Sequence, residues 1–426
     1  MGLILFGLFF ILLIIGVPIA VAIGVAAIFV IWKAQLGITI VSPNFYSGIA
    51  KFQLLAIPLF IFAGYIFERC GISERLVKFA DVVVGNRVGA LAIVAVAVCV
   101  FFGGISGSGP ADAAAIGAIL IPAMVSEGYS KGFTAALIAG AGSTAIVVPV
   151  SIALIIYGAL TNTSITTLFA AGIIPGIIAG IALVIPAYLI SKKRGYGRKR
   201  KFESISFFKA FKEAFWGLLA PVIILGGMYG GVFTPTEAAV IAVFYGLFLG
   251  FIVYRTLTFK KFYKILVDAS NSSAIVMLIV TLAGLFSWAA STLGTLDAIS
   301  HYLLSLSNNE YVVLFFINII LFVAGMMIDA ISIYYIFLPI FLPIISQFHW
   351  NPIWFGIIMT FNLAVGQFTP PVAVNLYVTT HLADINIEET FKEVIPFIIS
   401  MLIALAILVV FPQISLIIPK IFGMLS

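Results

Sequence analysis

Two long runs, Leu3–Trp32 and Thr167–Ile190, contain no charged residue at all. A helix that crosses the hydrocarbon core of a bilayer needs about 20 residues of this kind. Phe215–Val232, Glu237–Tyr254, Ala274–Ser291 and Val394–Ile418 have the same character, and Leu54–Phe67 is shorter but strongly apolar. These runs are apolar on every face, so none can serve as a half-solvated helix, and they are too long for buried strands. The chain as a whole is 63% hydrophobic and 9% charged, against about 25% charged in soluble domains. It reads as an all-α polytopic membrane protein. Leu3–Trp32 lacks a basic leader and exceeds the apolar length of a signal peptide, so it is expected to stay as one spanning segment.

Several functions are excluded by what accompanies these runs. Cys70 and Cys99 cannot build a disulfide framework, and His301, His349 and His381 lie too far apart for a metal-ligand spacing. There is no glycine-rich nucleotide loop, no Ser/His/Asp set and no paired-carboxylate arrangement, so the chain is not read as an enzyme. The formal charge of +6 sits in short loops, which argues for membrane topology rather than nucleic-acid binding. Nine basic residues fall between Lys192 and Lys212, and more at Arg69–Arg87, Lys131 and Arg255–Lys264. Positive loops face the cytoplasm. The Lys192–Lys201 cluster also suits contact with lipid headgroups.

Four apolar segments are interrupted at mid-membrane depth. Val88–Phe102 runs into Gly103-Gly104-Ile105-Ser106-Gly107-Ser108-Gly109-Pro110 and returns as Ala111–Met124, a re-entrant hairpin. Gly132–Ile146 meets Val148-Pro149-Val150-Ser151 and continues as Ile152–Leu160, a broken helix. Tyr311–Val323 leads to Ala324–Asp329 and returns as Ile331–Ile345; Ile353–Leu363 then meets Gly366–Pro371 and continues as Val372–Thr380. Adding 221 takes Gly104 to Gly325, Pro122 to Pro343, Pro149 to Pro370 and Pro175 to Pro396. Four landmarks at one offset, each in the same context, mark a duplicated unit.

Counting crossings from a cytoplasmic N-terminus, the first unit ends inside at the basic loop and the second starts outside. Lys33, Lys51, Lys420 and the C-terminal Ser426 then fall outside. The units are inverted repeats, as in many secondary transporters. The stretches between Cys70 and Asn86 and between Thr292 and Asn308 are read as arms lying along the interfaces. Residues 1–87, 161–232, 233–310 and 381–426 are assigned to the scaffold and its arms, and 88–160 and 311–380 to a transport domain.

Irregular backbone is tolerated at membrane depth only where it is buried in protein or lines a polar cavity. Half-helix N-termini offer N–H groups to an anion, while unwound carbonyls and hydroxyls offer hard oxygens to a cation. The expected contents are therefore an organic anion and one or more alkali cations, Na⁺ foremost. Ser106, Ser108, Ser143 and Thr144 of the first unit and Asp329, Gln367 and Asn375 of the second are the substrate candidates. The cation candidates are Gly104, Ser106, Ser143 and Val148 with Gly325, Gly366 and Thr369. Each has a plainer role: glycines let helices approach and serines cap them. The whole set beside proline breaks favours binding. Asp329 could cap Ile331–Ile345, but an ionisable group at membrane depth is a functional candidate by default. Asp112 is read as a first-turn dipole partner. Thr234-Pro235-Thr236-Glu237 is read as a helix start.

Three motifs carry a resemblance. Gly103–Ser108 with Ala113–Gly117 and Ile121-Pro122, then Gly231–Ala239, then Asn362–Gly366 with Thr369–Val372 and Asn375-Leu376 resemble the signatures of the large membrane subunit of tripartite ATP-independent periplasmic (TRAP) transporters, in order along the whole chain. Gly109-Pro110 departs from it where many members carry a further hydroxyl. The resemblance implies Na⁺-driven import of an organic acid by an elevator motion, with more than one Na⁺ per cycle. It implies a small four-helix membrane subunit, a periplasmic substrate-binding protein and residence in the bacterial inner membrane. Sialic acid is favoured over a C4-dicarboxylate, because a small Gly109-Pro110 tip leaves room for a bulky acid. The rival readings are a sodium–dicarboxylate symporter that needs no binding protein and a passive anion channel.

Overall fold

The computed structural model describes residues 1–197 and 206–425. Every regular element among them is helical, and eight helices are long and apolar enough to cross a membrane. The first hairpin consists of Ala90–Ser106 and Gly109–Ser126. Its reversal falls on Gly107, whose φ of +64° suits a residue without a Cβ. Pro110 sits at the start of the returning helix, where its missing N–H costs nothing. The second hairpin consists of Glu310–Gly325 and Ala330–Gln347.

Each hairpin is followed by a helix broken in mid-course. The first has halves Lys131–Ser143 and Ile152–Thr161, with a tight turn at Thr144–Ile146. Pro149 cannot donate to the helix ladder, and Val150 has a φ of +76°. Ser151 restarts the helix by accepting from the Leu154 amide at 3.3 Å. The second broken helix has halves Pro352–Gly366 and Val374–Ala383, separated by Pro370-Pro371. Phe133–Ser143 is buried at every residue. Its Ala139-Gly140-Ala141-Gly142 stretch brings backbones close, which is how helices associate where water supplies no driving force.

The repeats are inverted. The Tyr157 hydroxyl, near the end of the first broken helix, donates to the Pro352 carbonyl at the start of the second (2.6 Å). At the opposite end, Lys131 Nζ donates to the Asp384 carbonyl (3.4 Å). The two broken helices are therefore antiparallel. The stretches expected as arms fold as the helices Ile72–Val84 and Thr295–Leu306, each preceded by a left-handed glycine, Gly71 and Gly294. Packed beside them are Ala56–Arg69 and Phe259–Thr292, joined by an Arg69–Asp268 ion pair at 2.5 Å.

Two segments differ from the sequence expectation. Leu3–Trp32 is not one span: it folds as Gly2–Ile14 and Ile19–Lys33, packed on one another. Gly16, at φ +90°, and Pro18 interrupt the ladder. Phe6 and Phe9 lie against Phe286, and a Cβ on Gly2 would strike Thr295. Gly24 on the return helix faces Leu282. The N-terminus thus shares a face with the Thr295–Leu306 arm, so the crossing count that put the two on opposite sides does not hold. Val394–Ile418 likewise divides into Phe391–Val410 and Gln413–Ile421 around Phe411-Pro412. Of the basic loop, Lys192–Arg194 end the helix Ile165–Arg194; Arg198–Lys201, like Ser426, lie outside the described residues.

One close helix contact in the second unit is backbone on backbone. A Cβ on Gly366 would lie 2.5–2.7 Å from the Gly325 main chain, with no flexible side chain to yield. Gly366→Ala should lower the melting temperature of the purified protein, by the equivalent of about 1–3 kcal/mol of overpacking. Ala at Gly226, where a Cβ meets nothing within 4 Å, should leave it unchanged.

Candidate functional site

The first hairpin tip touches both helix breaks. The Ile152 amide donates to the Gly107 carbonyl at 3.4 Å. A Cβ on Gly103 would sit 2.7 Å from Ala145 Cα, and one on Gly104 would sit 3.6 Å from Val148 Cγ1. On its other side, Gly109 opens the returning half-helix against Gln367 and Asn375 of the second broken helix; a Cβ there would run into Gln367 Oε1 and lie 3.0 Å from Asn375 Nδ2. The second tip docks in the same manner, with the Ala373 amide donating to the Met326 carbonyl at 3.3 Å. Ile152 and Ala373 are 221 residues apart, the offset read from the prolines.

The assembled breaks hold a surplus of acceptors. Asn375 Nδ2 donates to the Ala139 carbonyl at 3.2 Å, which leaves Asn375 Oδ1 without a donor. Gln367 Oε1, Asn362 Oδ1 and Asp112 Oδ2 are likewise buried and unpartnered. The hydroxyls do not fill this deficit, because they donate back into their own helices: Ser143 to Gly140 and Thr144 to Ala141 (each 2.7 Å), and Thr369 to Val365 (2.6 Å). Their lone pairs remain as acceptors. Orphaned buried acceptors are costly unless something satisfies them, and hard oxygens of this kind suit an alkali cation. The donor side is the start of Gly109–Ser126, where free N–H groups suit an anion. Ser108 is half-buried there, and its amide donates to Ser106 Oγ at 3.3 Å.

The two aspartates have different surroundings. Asp329 caps Ala330–Gln347: Oδ2 accepts from the Ile331 and Ser332 amides at 3.0 and 3.1 Å, and Oδ1 accepts from Ser332 Oγ at 2.6 Å. Both oxygens are engaged within its own helix, and no hydrogen bond among the described residues joins it to the first tip. Asp112 is fully buried one turn into its half-helix. It accepts a hydrogen bond from Ser106 Oγ, and its free oxygen faces Gly103. It is thus a buried carboxylate in the first turn of its half-helix, as a dipole partner would be, and it lies against the tip. Thr234 and Glu237 do form the expected helix start: the Thr234 amide donates to Glu237 Oε2 at 2.8 Å, and the Glu237 amide donates to Thr234 Oγ1 at 3.3 Å.

An arrangement of this kind has known relatives. Residues 6–414 match the family described as the tripartite ATP-independent periplasmic transporter, DctM component. The chain belongs to that family. Among its relatives, the sialic acid TRAP transporter large permease protein SiaM of Vibrio cholerae is 38% identical, over 96% of this chain and 96% of its own. The C4-dicarboxylate large permease protein DctM of Rhodobacter capsulatus is 34% identical over 99% and 100%. The isethionate permease protein DctMQ of Oleidesulfovibrio alaskensis is 41% identical over 97% of this chain, which spans 65% of that longer protein. The YdaH transporter of Alcanivorax borkumensis, 16% identical, matches in fold, with a TM-score of 0.66 over 88% of this chain and 87% of its own.

In this TRAP permease, the sequence did not reveal which residues from other helices face the first tip. A cavity of about 120 Å³ lies against the first tip. Ser106, Ser108 and Ala111 form one wall, and Tyr65, Glu68 and Ser272 of the scaffold face them. Tyr65 Oη and Ser272 Oγ are hydrogen-bonded at 2.8 Å, which pins the two scaffold helices together there. Glu68 was visible as an acid near the end of an apolar run, but nothing local says which way it faces.

The Asp329 geometry yields a test. Asp329→Ala should cost about 1 kcal/mol of stability through the lost cap, and Asp329→Ser should restore it. Melting temperatures of the three proteins check this. Uptake that fails in the Ser variant at unchanged melting temperature would assign Asp329 a further role in transport.

Proposed function

We propose that this chain is the permease subunit of a Na⁺-coupled importer of an organic acid, delivered by a periplasmic binding protein and assisted by a small four-helix membrane subunit in the bacterial inner membrane. The observation that carries this reading is the pairing of the half-helix start at Gly109 with the orphaned oxygens of Asp112, Gln367 and Asn375. An anion and its companion cations are each met by the partner their charge requires. Ser106, Ser108, Ser143, Thr144, Gln367 and Asn375 are the residues we assign to cargo. Gly104, Ser106, Ser143, Val148, Gly325, Gly366 and Thr369 are those we assign to Na⁺, with Asp112 added. Residues 88–160 and 311–380 would move together as the transport domain of an elevator, against residues 1–87, 161–310 and 381–426. Na⁺ would supply the driving force; the chain supplies the oxygens and the N–H groups.

The cargo class is a small organic acid. Space at Gly109-Pro110 was the reason to favour sialic acid, and Gln367 and Asn375 occupy that space. Sialic acid, C4-dicarboxylates and isethionate are the acids to test, each with the matching binding protein and small subunit in proteoliposomes. Uptake of one should require a Na⁺ gradient, with more than one Na⁺ per acid. Equal uptake with K⁺ in place of Na⁺ at fixed membrane potential would refute the coupling, and uptake without a binding protein would favour the dicarboxylate-symporter reading.

Orientation follows from charge. We place Arg69–Arg87, Lys131, Lys192–Arg194 and Arg255–Lys264 in the cytoplasm. Because Gly2 lies at Thr295 on the opposite face, the N-terminus is then periplasmic, as is the end of the chain. A cysteine appended before Met1 should react with an impermeant maleimide in cells with a permeabilised outer membrane, and one at Gly197 should not.

A further inference from the structure

The scaffold wall of the cavity carries a charge that the assignment of cargo and cation residues leaves unused; its role in transport rests on the importer reading. Glu68 lines the cavity against the first tip, opposite Ser106, Ser108 and Ala111. It makes no hydrogen bond or ion pair with another described residue. The neighbouring guanidinium that could neutralise it belongs to Arg69, which is held 2.5 Å from Asp268. The cavity therefore carries a carboxyl group whose nearest cation, Arg69, is shared with Asp268.

The second-unit counterpart of the Glu68 helix, Phe259–Thr292, has no charged residue beyond Asp268. The charged residues on the face opposite the basic loops include Lys33, Glu237, Asp297 and Glu310; Lys51 is among them, and its Nζ donates to the Ala159 carbonyl at 2.9 Å. Burial there holds its pKa below the usual lysine range. The inverted repeats are alike in backbone and unlike in charge. An acid leaving toward the basic face would meet Glu68.

We propose that Glu68 is a specificity-determining scaffold residue that lowers the affinity for anionic cargo on the cytoplasmic side and so drives its release. It acts by repulsion across the cavity rather than by ligation. Unit charges of like sign a few ångströms apart, partly shielded from water, repel strongly enough to change local anion concentration by about tenfold or more.

The test uses the full chain with its small subunit in inside-out vesicles. A cysteine is introduced by Ala111→Cys, on the exposed cavity wall; native Cys70 and Cys99 are buried and set the background. Cationic trimethylammonium-ethyl and anionic sulfonato-ethyl methanethiosulfonates are applied from the cytoplasmic face. The cationic reagent should react faster, and Glu68→Gln should reduce the ratio of the two rates about tenfold. Glu68→Asp, which keeps the charge, should preserve the ratio. In parallel, radiolabelled N-acetylneuraminate, fumarate and isethionate are presented from either face. For whichever acid is carried, Glu68→Gln should lower the half-saturating concentration severalfold at the cytoplasmic face and leave binding-protein-dependent import half-saturation unchanged. A rate ratio indifferent to Glu68→Gln overturns the proposal, and so does a changed ratio with no change in cytoplasmic half-saturation. The labelling arm needs no cargo, so a wild-type protein that carries none of the three acids counts against the importer reading and leaves the labelling ratio to decide on Glu68.

Discussion

Backbone amides and carbonyls inside a bilayer have no water to turn to, and the rest of this structure follows from how four interrupted helices meet that demand. Each break frees polar groups that must find partners in protein. Hairpin tip and helix break satisfy one another: the first residue after each break donates to the facing tip, Ile152 to Gly107 and Ala373 to Met326. Contact this close requires missing side chains, which is why Gly103 lies on Ala145 and Gly325 on Gly366. The glycines serve packing first, and the site arises where the packed pieces leave polar groups over.

What is left over has a definite sign. Hydroxyl donors are spent within their own helices, as at Ser143, Thr144 and Thr369. Acceptors on Asp112, Asn362, Gln367 and Asn375 are not. Burying such acceptors unpaired is costly, and it is on them that the proposed cation and cargo sites rest.

Duplication supplies the architecture but not the direction of transport. An inverted repeat presents equivalent backbones to the two sides of a membrane, so any preference between sides must come from side chains that the repeats do not share. Glu68 beside the first tip and Lys51 on the opposite face are such residues. The second-unit counterpart helix is uncharged along the same stretch.

The sequence by itself determined the class of fold, because a bilayer leaves few choices for long uncharged runs. The positions of the four breaks were legible as well, since Gly and Pro act locally on φ and on the helix ladder. Their common offset made the duplication visible, and one tip residue in each unit, Gly104 and Gly325, already stood at it. The Thr234–Glu237 helix start was equally local. Only the tertiary structure decided that Leu3–Trp32 folds back on itself, because Gly16 and Pro18 permit either a kink or a reversal, and contacts with Phe286 and Thr295 select the reversal. It also decided that Asp329 is engaged as a cap while Asp112 keeps a free buried oxygen. Both are acids near the start of a half-helix, and their surroundings come from segments far away in sequence. The joining of Gly109 to Gln367 and Asn375, and the facing of Glu68 to Ser108, are long-range contacts of the same kind. Local chemistry sets where a chain bends; what the bend meets depends on the packing of the whole.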